Sequence, residues 1–161
     1  MDKCLLSQPK HGWTYFELAT KTYGLSYLTH IPTQWLRAAI YGLENMVPFV
    51  VKGFCEPGRF LCLVSYWNCH VMLEDDEDRP LQPDEVEHET VHIPMISFCK
   101  MLYASMDRYL DDWGEWDADF YDDEPSRVAA RKKEEIRLLL ERLSALIQEK
   151  EEFFCGGYCF F

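Results

Sequence analysis

The chain has 161 residues, 48% of them hydrophobic, which predicts a single domain over residues 1–161 with a substantial buried core. Its 16 basic and 28 acidic residues give a formal net charge of −12. That charge disfavours direct contact with nucleic acid or an anionic membrane and favours a basic partner, and no run of about 18 apolar residues predicts a membrane span.

The first part of the chain predicts two short strands and a helix. Aromatic alternation indicates a strand over residues 13–19, and a second strand covers residues 24–29. Apolar side chains at helical spacing then predict a helix from about Thr33 to Asn45, which Pro48 ends.

A buried strand at residues 49–51 and an apolar hairpin follow. The turn at Pro57 and Gly58 leads into hairpin arms at residues 60–66 and 69–73. Because the hairpin is apolar almost throughout, we expect it to be covered on both faces, or by one helix and a partner.

The second half is acidic and helical. Residues 74–89 predict an exposed acidic loop, residues 90–93 a strand, and Pro94 the first turn of a helix with an apolar stripe. A last helix, the only basic element, runs from about residue 125 to 150, and the apolar residues 153–161 predict an edge strand or an interface. The predicted fold is α+β: a mainly antiparallel sheet of four to six strands with about three helices packed on one face.

Carboxylates alternate with large aromatic side chains where the helix from Pro94 runs out into a loop. Rings supply buried contact area and charges steer encounter, so this pattern predicts a docking surface for a cationic partner. The predicted partner-binding residues are Asp107, Asp111, Asp112, Trp113, Glu115, Trp116, Asp117, Asp119 and Tyr121. In the alternative interpretation the loop is merely solvated, the tryptophans are core anchors, and the cations of the last helix neutralise the carboxylates.

Metal binding and cysteine chemistry are indicated by weaker sequence patterns. Two E-x-x-H motifs in direct succession place His88 and His92 near carboxylates, which is the basis of a metal-site hypothesis, although such motifs belong on separate helices. The seven cysteines are an odd number without paired C-x-x-C spacing or a signal-peptide pattern before them, so we expect reduced thiols in the cytoplasm. Cys55 becomes a nucleophile only if His70 or His92 reaches it. We therefore predict no cofactor and no metal.

One family resemblance emerges from the order of the elements. A small acidic chain with a helix at residues 33–45, a strand ending in Glu56-Pro57-Gly58, an apolar hairpin from Arg59 to Leu73 and an acidic helical half resembles the immunity proteins that protect bacteria from polymorphic or contact-dependent toxins. The resemblance covers roughly residues 31–120. It implies a protein that caps the basic active site of a cognate toxin, often a nuclease, while the aromatic loop and the apolar C-terminus depart from the pattern.

The leading hypothesis is thus a non-enzymatic, cytoplasmic inhibitor of a cationic toxin domain. A small metal-dependent hydrolase using His88 and His92 is one alternative. An acidic mimic of nucleic acid that blocks host defence enzymes is the other, and it predicts a longer and more regular spacing of carboxylates.

Overall fold

The computed structural model describes residues 3–74 and 82–155, without the side chain of Cys155, and its fold is α+β, as predicted. The strands and helices are β1 (Trp13–Phe16), β2 (Tyr23–Ser26), α1 (Ile31–Asn45), β3 (Phe49–Phe54), β4 (Arg59–Val64), β5 (Cys69–Glu74), β6 (Glu87–Val91), α2 (Met95–Arg108), α3 (Leu110–Gly114) and α4 (Pro125–Cys155). Across the described ranges, no helix combines the length and apolarity needed to cross a membrane.

The N-terminal segment folds onto β1 through a two-residue turn. Lys10 and Trp13 exchange both backbone hydrogen bonds at 2.9 Å, while His11 (φ 51°) and Gly12 (φ 76°) occupy the left-handed region. Positive φ at both central residues is the geometry of a type I′ hairpin turn. The segment before β1 therefore pairs back onto β1, with Leu6 bridged to Phe16.

The larger sheet is antiparallel, in the order β3-β4-β5-β6. Its inner face, which includes Phe49, Val51, Phe60 and Cys62, belongs to the hydrophobic core. The prediction of a hairpin is confirmed, with arms at Arg59–Val64 and Cys69–Glu74.

The outer face of this sheet is partly open. On β3, Val50 and Phe54 are 41% and 42% exposed. On the hairpin, the outward side chains of Leu61, Leu63 and Met72 are half-buried, whereas inward residues such as Phe60 are fully buried. The described residues thus bury the hairpin almost fully on one face and partly on the other, so its continuous apolarity does not reflect full cover on both faces.

Helix α4 is the element on which α1, α2 and α3 pack. It extends to Cys155, so the prediction of a strand beginning at Phe153 is wrong for residues 153–155, and residues 156–161 lie outside the described part. The ring of Phe154 packs edge-on against Trp67 at 5.8 Å between centroids. An aromatic contact available to the helical side chain therefore accounts for the apolar end of α4.

Candidate functional site

The two tryptophans of the predicted docking surface point inward. Trp113 is 1% exposed and Trp116 is 5% exposed. Their indole N–H groups donate to backbone carbonyls, Trp113 to Ser105 at 3.0 Å and Trp116 to Thr29 at 2.9 Å. The prediction that these rings face outward is wrong, because burial removes a large apolar area from water while each polar N–H keeps a partner.

A cavity of about 530 Å³ is lined in part by Trp116. One part of its wall is the Pro9–Gly12 turn with Tyr27, and another part is the segment around Ala118 and Phe120 with the first turn of α4. The Tyr27 and Phe120 rings stack with centroids 4.5 Å apart and planes 17° apart, although Phe120 is 64% exposed. The mouth therefore presents an aromatic surface to solvent.

Glycine at position 12 makes this wall possible. A Cβ there would lie 2.4 Å from Cδ1 of Tyr27, and the φ of 76° is unfavourable for other residues. The Tyr27 amide also donates to the Gly12 carbonyl at 2.9 Å. The turn and the ring are thus held together closely enough to form one wall.

Three predicted carboxylates line this cavity: Asp112, Glu115 and Asp119. Asp112 accepts a hydrogen bond from Gln8 Nε2 at 2.9 Å, and among the described residues none of the three forms an ion pair. Lys10 lies in the same lining and offsets part of the negative charge. The cavity is nonetheless acidic and aromatic, which suits a cationic group carrying an apolar stem.

The other predicted residues lie outside the lining. Asp107 is exposed on α2, while Asp111 forms an ion pair with Lys133 of α4. A cation of the last helix therefore neutralises the negative charge of Asp111, as the alternative interpretation predicted. It does not extend to the carboxylates that line the cavity.

Asp117 and Tyr121 belong to a separate cluster around His30. Asp117 Oδ2 lies 2.8 Å from the buried His30 Nδ1, although the geometry of this contact is not that of a hydrogen bond. On the other side of the ring, Tyr121 Oη lies 3.1 Å from Nε2, and Lys132 also contacts this nitrogen. The Lys132 ammonium, on a residue only 9% exposed, stands 4.9 Å from the Tyr121 ring centroid.

This cluster anchors the loop that carries the cavity residues. Its members come from the start of α1, from the segment after α3 and from α4, so it joins three parts of the chain. Asp117 and Tyr121 immediately flank Ala118, Asp119 and Phe120. Their inward contacts therefore turn Asp119 and Phe120 toward the cavity and solvent.

His88 and His92 do not converge on a common site. His88 Nδ1 lies 3.1 Å from His70 Nε2, whereas His92 Nδ1 lies 2.7 Å from Asn68 Oδ1. In the described part of the chain, no three histidine, cysteine, aspartate or glutamate side chains are grouped so that they could hold a metal ion. The hypothesis of a metal-dependent hydrolase that uses His88 and His92 therefore lacks the metal ligands that it requires.

The described cysteines do not form the nucleophile site that was considered for Cys55. Burial raises the pKa of Cys55 to about 11, which leaves little reactive thiolate near neutral pH. A side-chain hydrogen bond with Cys69, then burial, raise the pKa of Cys62, and burial raises the pKa of Cys99. The imidazoles of His70 and His92 are occupied with His88 and Asn68, so neither histidine supplies the partner that a reactive Cys55 needs.

Sequence reasoning missed the Pro9–Gly12 turn, Tyr27 and the start of α4 as parts of the cavity. The only local signal was the His11-Gly12 pair, which suits a tight turn. Comparison with known proteins adds no assignment: no family model matches the chain, and no curated protein or solved structure matches it significantly.

Proposed function

We propose that this chain is a non-enzymatic inhibitor of the immunity-protein kind, which binds and blocks a cationic toxin domain. The observation that carries the proposal is the aromatic-walled cavity lined by three carboxylates without an ion pair in the described structure. Such a surface suits a partner that presents lysine or arginine side chains around a basic cleft.

The cavity serves as the anchor of this contact. A basic side chain of the toxin lays its apolar stem along Tyr27 and Phe120 and brings its charged end to Glu115 and Asp119. Phe120 loses its 64% exposure on docking, so burial of that ring contributes to affinity. Trp116 acts beneath this surface as a support and not as a contact.

Charge contributes chiefly to the rate of encounter. Asp122 and Asp123 lie exposed beside the cavity segment and extend the negative field beyond its mouth. Long-range attraction of this kind raises the association rate, and salt screens it over about 8–10 Å. The proposed complex therefore forms quickly at low ionic strength and more slowly as salt is added.

The test begins with capture of the partner from the native cell or with the product of the neighbouring gene. Association rates are then measured against salt for the wild type and for Glu115→Gln with Asp119→Asn, which removes two charges without changing side-chain size. We expect the double variant to associate about tenfold more slowly, with a flatter salt dependence. Phe120→Ala should instead accelerate dissociation and weaken binding by about 1–2 kcal/mol.

The matched control is Asp84→Asn with Glu152→Gln, which removes the same charge from exposed positions away from the cavity lining. This control should associate at nearly the wild-type rate. Equal losses in both double variants would reduce the effect to net charge and would remove the cavity from the proposal. Unchanged binding in all variants would refute the surface altogether.

A further inference from the structure

His88 of the E-x-x-H region pairs with a histidine that lies outside this region and that the sequence spacing does not reveal. His70 of β5 and His88 of β6 meet across neighbouring antiparallel strands, with Nε2 of His70 and Nδ1 of His88 3.1 Å apart. The ring centroids are 5.1 Å apart and the planes make an angle of 75°. These two imidazoles are independent of the acidic cavity.

The strand register holds both rings on the outer face of the sheet. His70 is paired with Thr90, and Met72 is paired with His88, so the two histidines are diagonal neighbours. The adjacent inward residues of β5, Cys69 and Val71, are fully buried. His70 is half-buried and His88 is exposed, so a dissolved ion can reach them.

The separation of the two nitrogens suits a shared metal ion. With a zinc–nitrogen bond of about 2.0–2.1 Å, two imidazole nitrogens on one ion lie roughly 2.9–3.4 Å apart, depending on octahedral or tetrahedral geometry. The observed 3.1 Å falls within this interval. A small rotation of the rings can therefore turn both lone pairs toward one ion without moving the strands.

We propose that His70 and His88 form a two-histidine site for a divalent transition ion of the Zn²⁺ class, which clips β6 to β5. Imidazole is a preferred ligand for such ions, whereas Mg²⁺ and Ca²⁺ require oxygen ligands. Solvent completes the coordination, because the described residues offer no third ligand of the histidine, cysteine or carboxylate type. Both coordinating nitrogens present a lone pair, so the ring that donates the present hydrogen bond carries its proton on its other nitrogen when the ion is bound.

The consequence is a metal-dependent stability of the sheet edge. Strand β6 is an edge strand and pairs only with β5 among the described strands. An ion that bridges the two strands binds the folded chain and not the unfolded one, so it raises the unfolding temperature. At a hundredfold excess over Kd, the rise should be about 5–11 °C for a chain of this size.

The test is titration of the reduced full chain with Zn²⁺, followed by ¹H–¹⁵N spectra of the imidazole nitrogens. We expect the His70 and His88 signals to shift together and to saturate, and chelation by EDTA to reverse the change. His92, which contacts Asn68, provides the internal reference and should not move. A response centred on His92 or His11, or no saturable response at His70 and His88, would overturn the proposal.

Variants provide an independent measurement that does not depend on spectral assignment. His88→Gln and His70→Asn should each lower Zn²⁺ affinity at this site by about 100-fold, since either leaves a single ligand. Each should also abolish the Zn²⁺-dependent rise in unfolding temperature, while His92→Gln retains it. Persistence of the rise in both ligand variants would assign the effect to other groups, such as the thiols, and would refute the two-histidine site.

Discussion

Replacement of Ser105 by alanine should destabilise the fold more than the loss of one hydroxyl suggests. Ser105 is fully buried on α2, and its Oγ accepts hydrogen bonds from the amides of Leu5 at 2.8 Å and Leu6 at 3.1 Å. The same hydroxyl donates to the Met101 carbonyl at 2.8 Å. One side chain therefore fastens the N-terminal segment to a core helix.

The magnitude follows from the groups left without a partner. Each buried amide that loses its acceptor costs about 1–3 kcal/mol, and two amides are affected. The better helix propensity of alanine reduces this cost by roughly 0.5 kcal/mol. Partial rearrangement of the N-terminal segment offsets a further part of the cost. We expect Ser105→Ala to lower the free energy of unfolding by about 2–4 kcal/mol and the unfolding temperature by about 5–15 °C.

Urea unfolding measures this change, and amide hydrogen exchange locates it. Protection of the Leu5 and Leu6 amides should fall further than protection of the α4 amides. Ser97→Ala is the control, because Ser97 lies on the same helix without a side-chain hydrogen bond in the described structure, and it should change stability by less than about 0.5 kcal/mol. A loss below about 1 kcal/mol for Ser105→Ala, or unchanged exchange at Leu5 and Leu6, would refute this reasoning.

Two further predictions concern the turn and a thiol. Gly12→Ala should destabilise the protein by about 1–3 kcal/mol in urea unfolding, because a Cβ at φ 76° meets the Tyr27 ring, whereas His11→Gly in the same turn should be neutral or stabilising. Cys55, whose pKa is raised to about 11, should react with iodoacetamide roughly 100-fold more slowly than an ordinary thiol at pH 8. Peptide-resolved mass spectrometry should show its rate rising about tenfold per pH unit up to pH 10, and a plateau near pH 9 would contradict the raised pKa.

Local patterns predicted elements whose stabilising contacts are also local. The helix predicted from Thr33 to Asn45 is confirmed as Ile31–Asn45, because its apolar spacing and the left-handed residue Met46 at its end are properties of one segment. The hairpin at residues 59–74 is confirmed for a similar reason. Its arms and its turn are neighbours in the chain.

Elements completed by distant partners were predicted less well. Strand β6 begins at Glu87, inside the predicted acidic loop, because Lys21 pairs with Glu87 and Thr20 donates two hydrogen bonds to Glu89. Similarly, burial of Trp116 depends on the Thr29 carbonyl, 87 positions away. The spacing of residues in the sequence does not indicate such distant contacts. The sequence therefore predicts that Glu87, Glu89 and Trp116 are exposed, whereas the fold supplies a partner for each of them.

The same long-range pairing explains why the acidic cavity keeps its charge. Two arginines of α4 are engaged elsewhere: Arg142 with Glu44 of α1, and Arg137 with Glu134 and Glu141 of α4 itself. Lys132 and Lys133, in contrast, lie near the cavity segment, where they contact His30 and Asp111. The arginine pairs join or reinforce the helices and lie outside the cavity lining. Because exposed ion pairs contribute only about 0–1 kcal/mol each, moving these arginines to the cavity would gain little stability but would neutralise the proposed contact surface. The placement of Arg137 and Arg142 thus reinforces helix packing and keeps their positive charge out of the cavity that a cationic partner would meet.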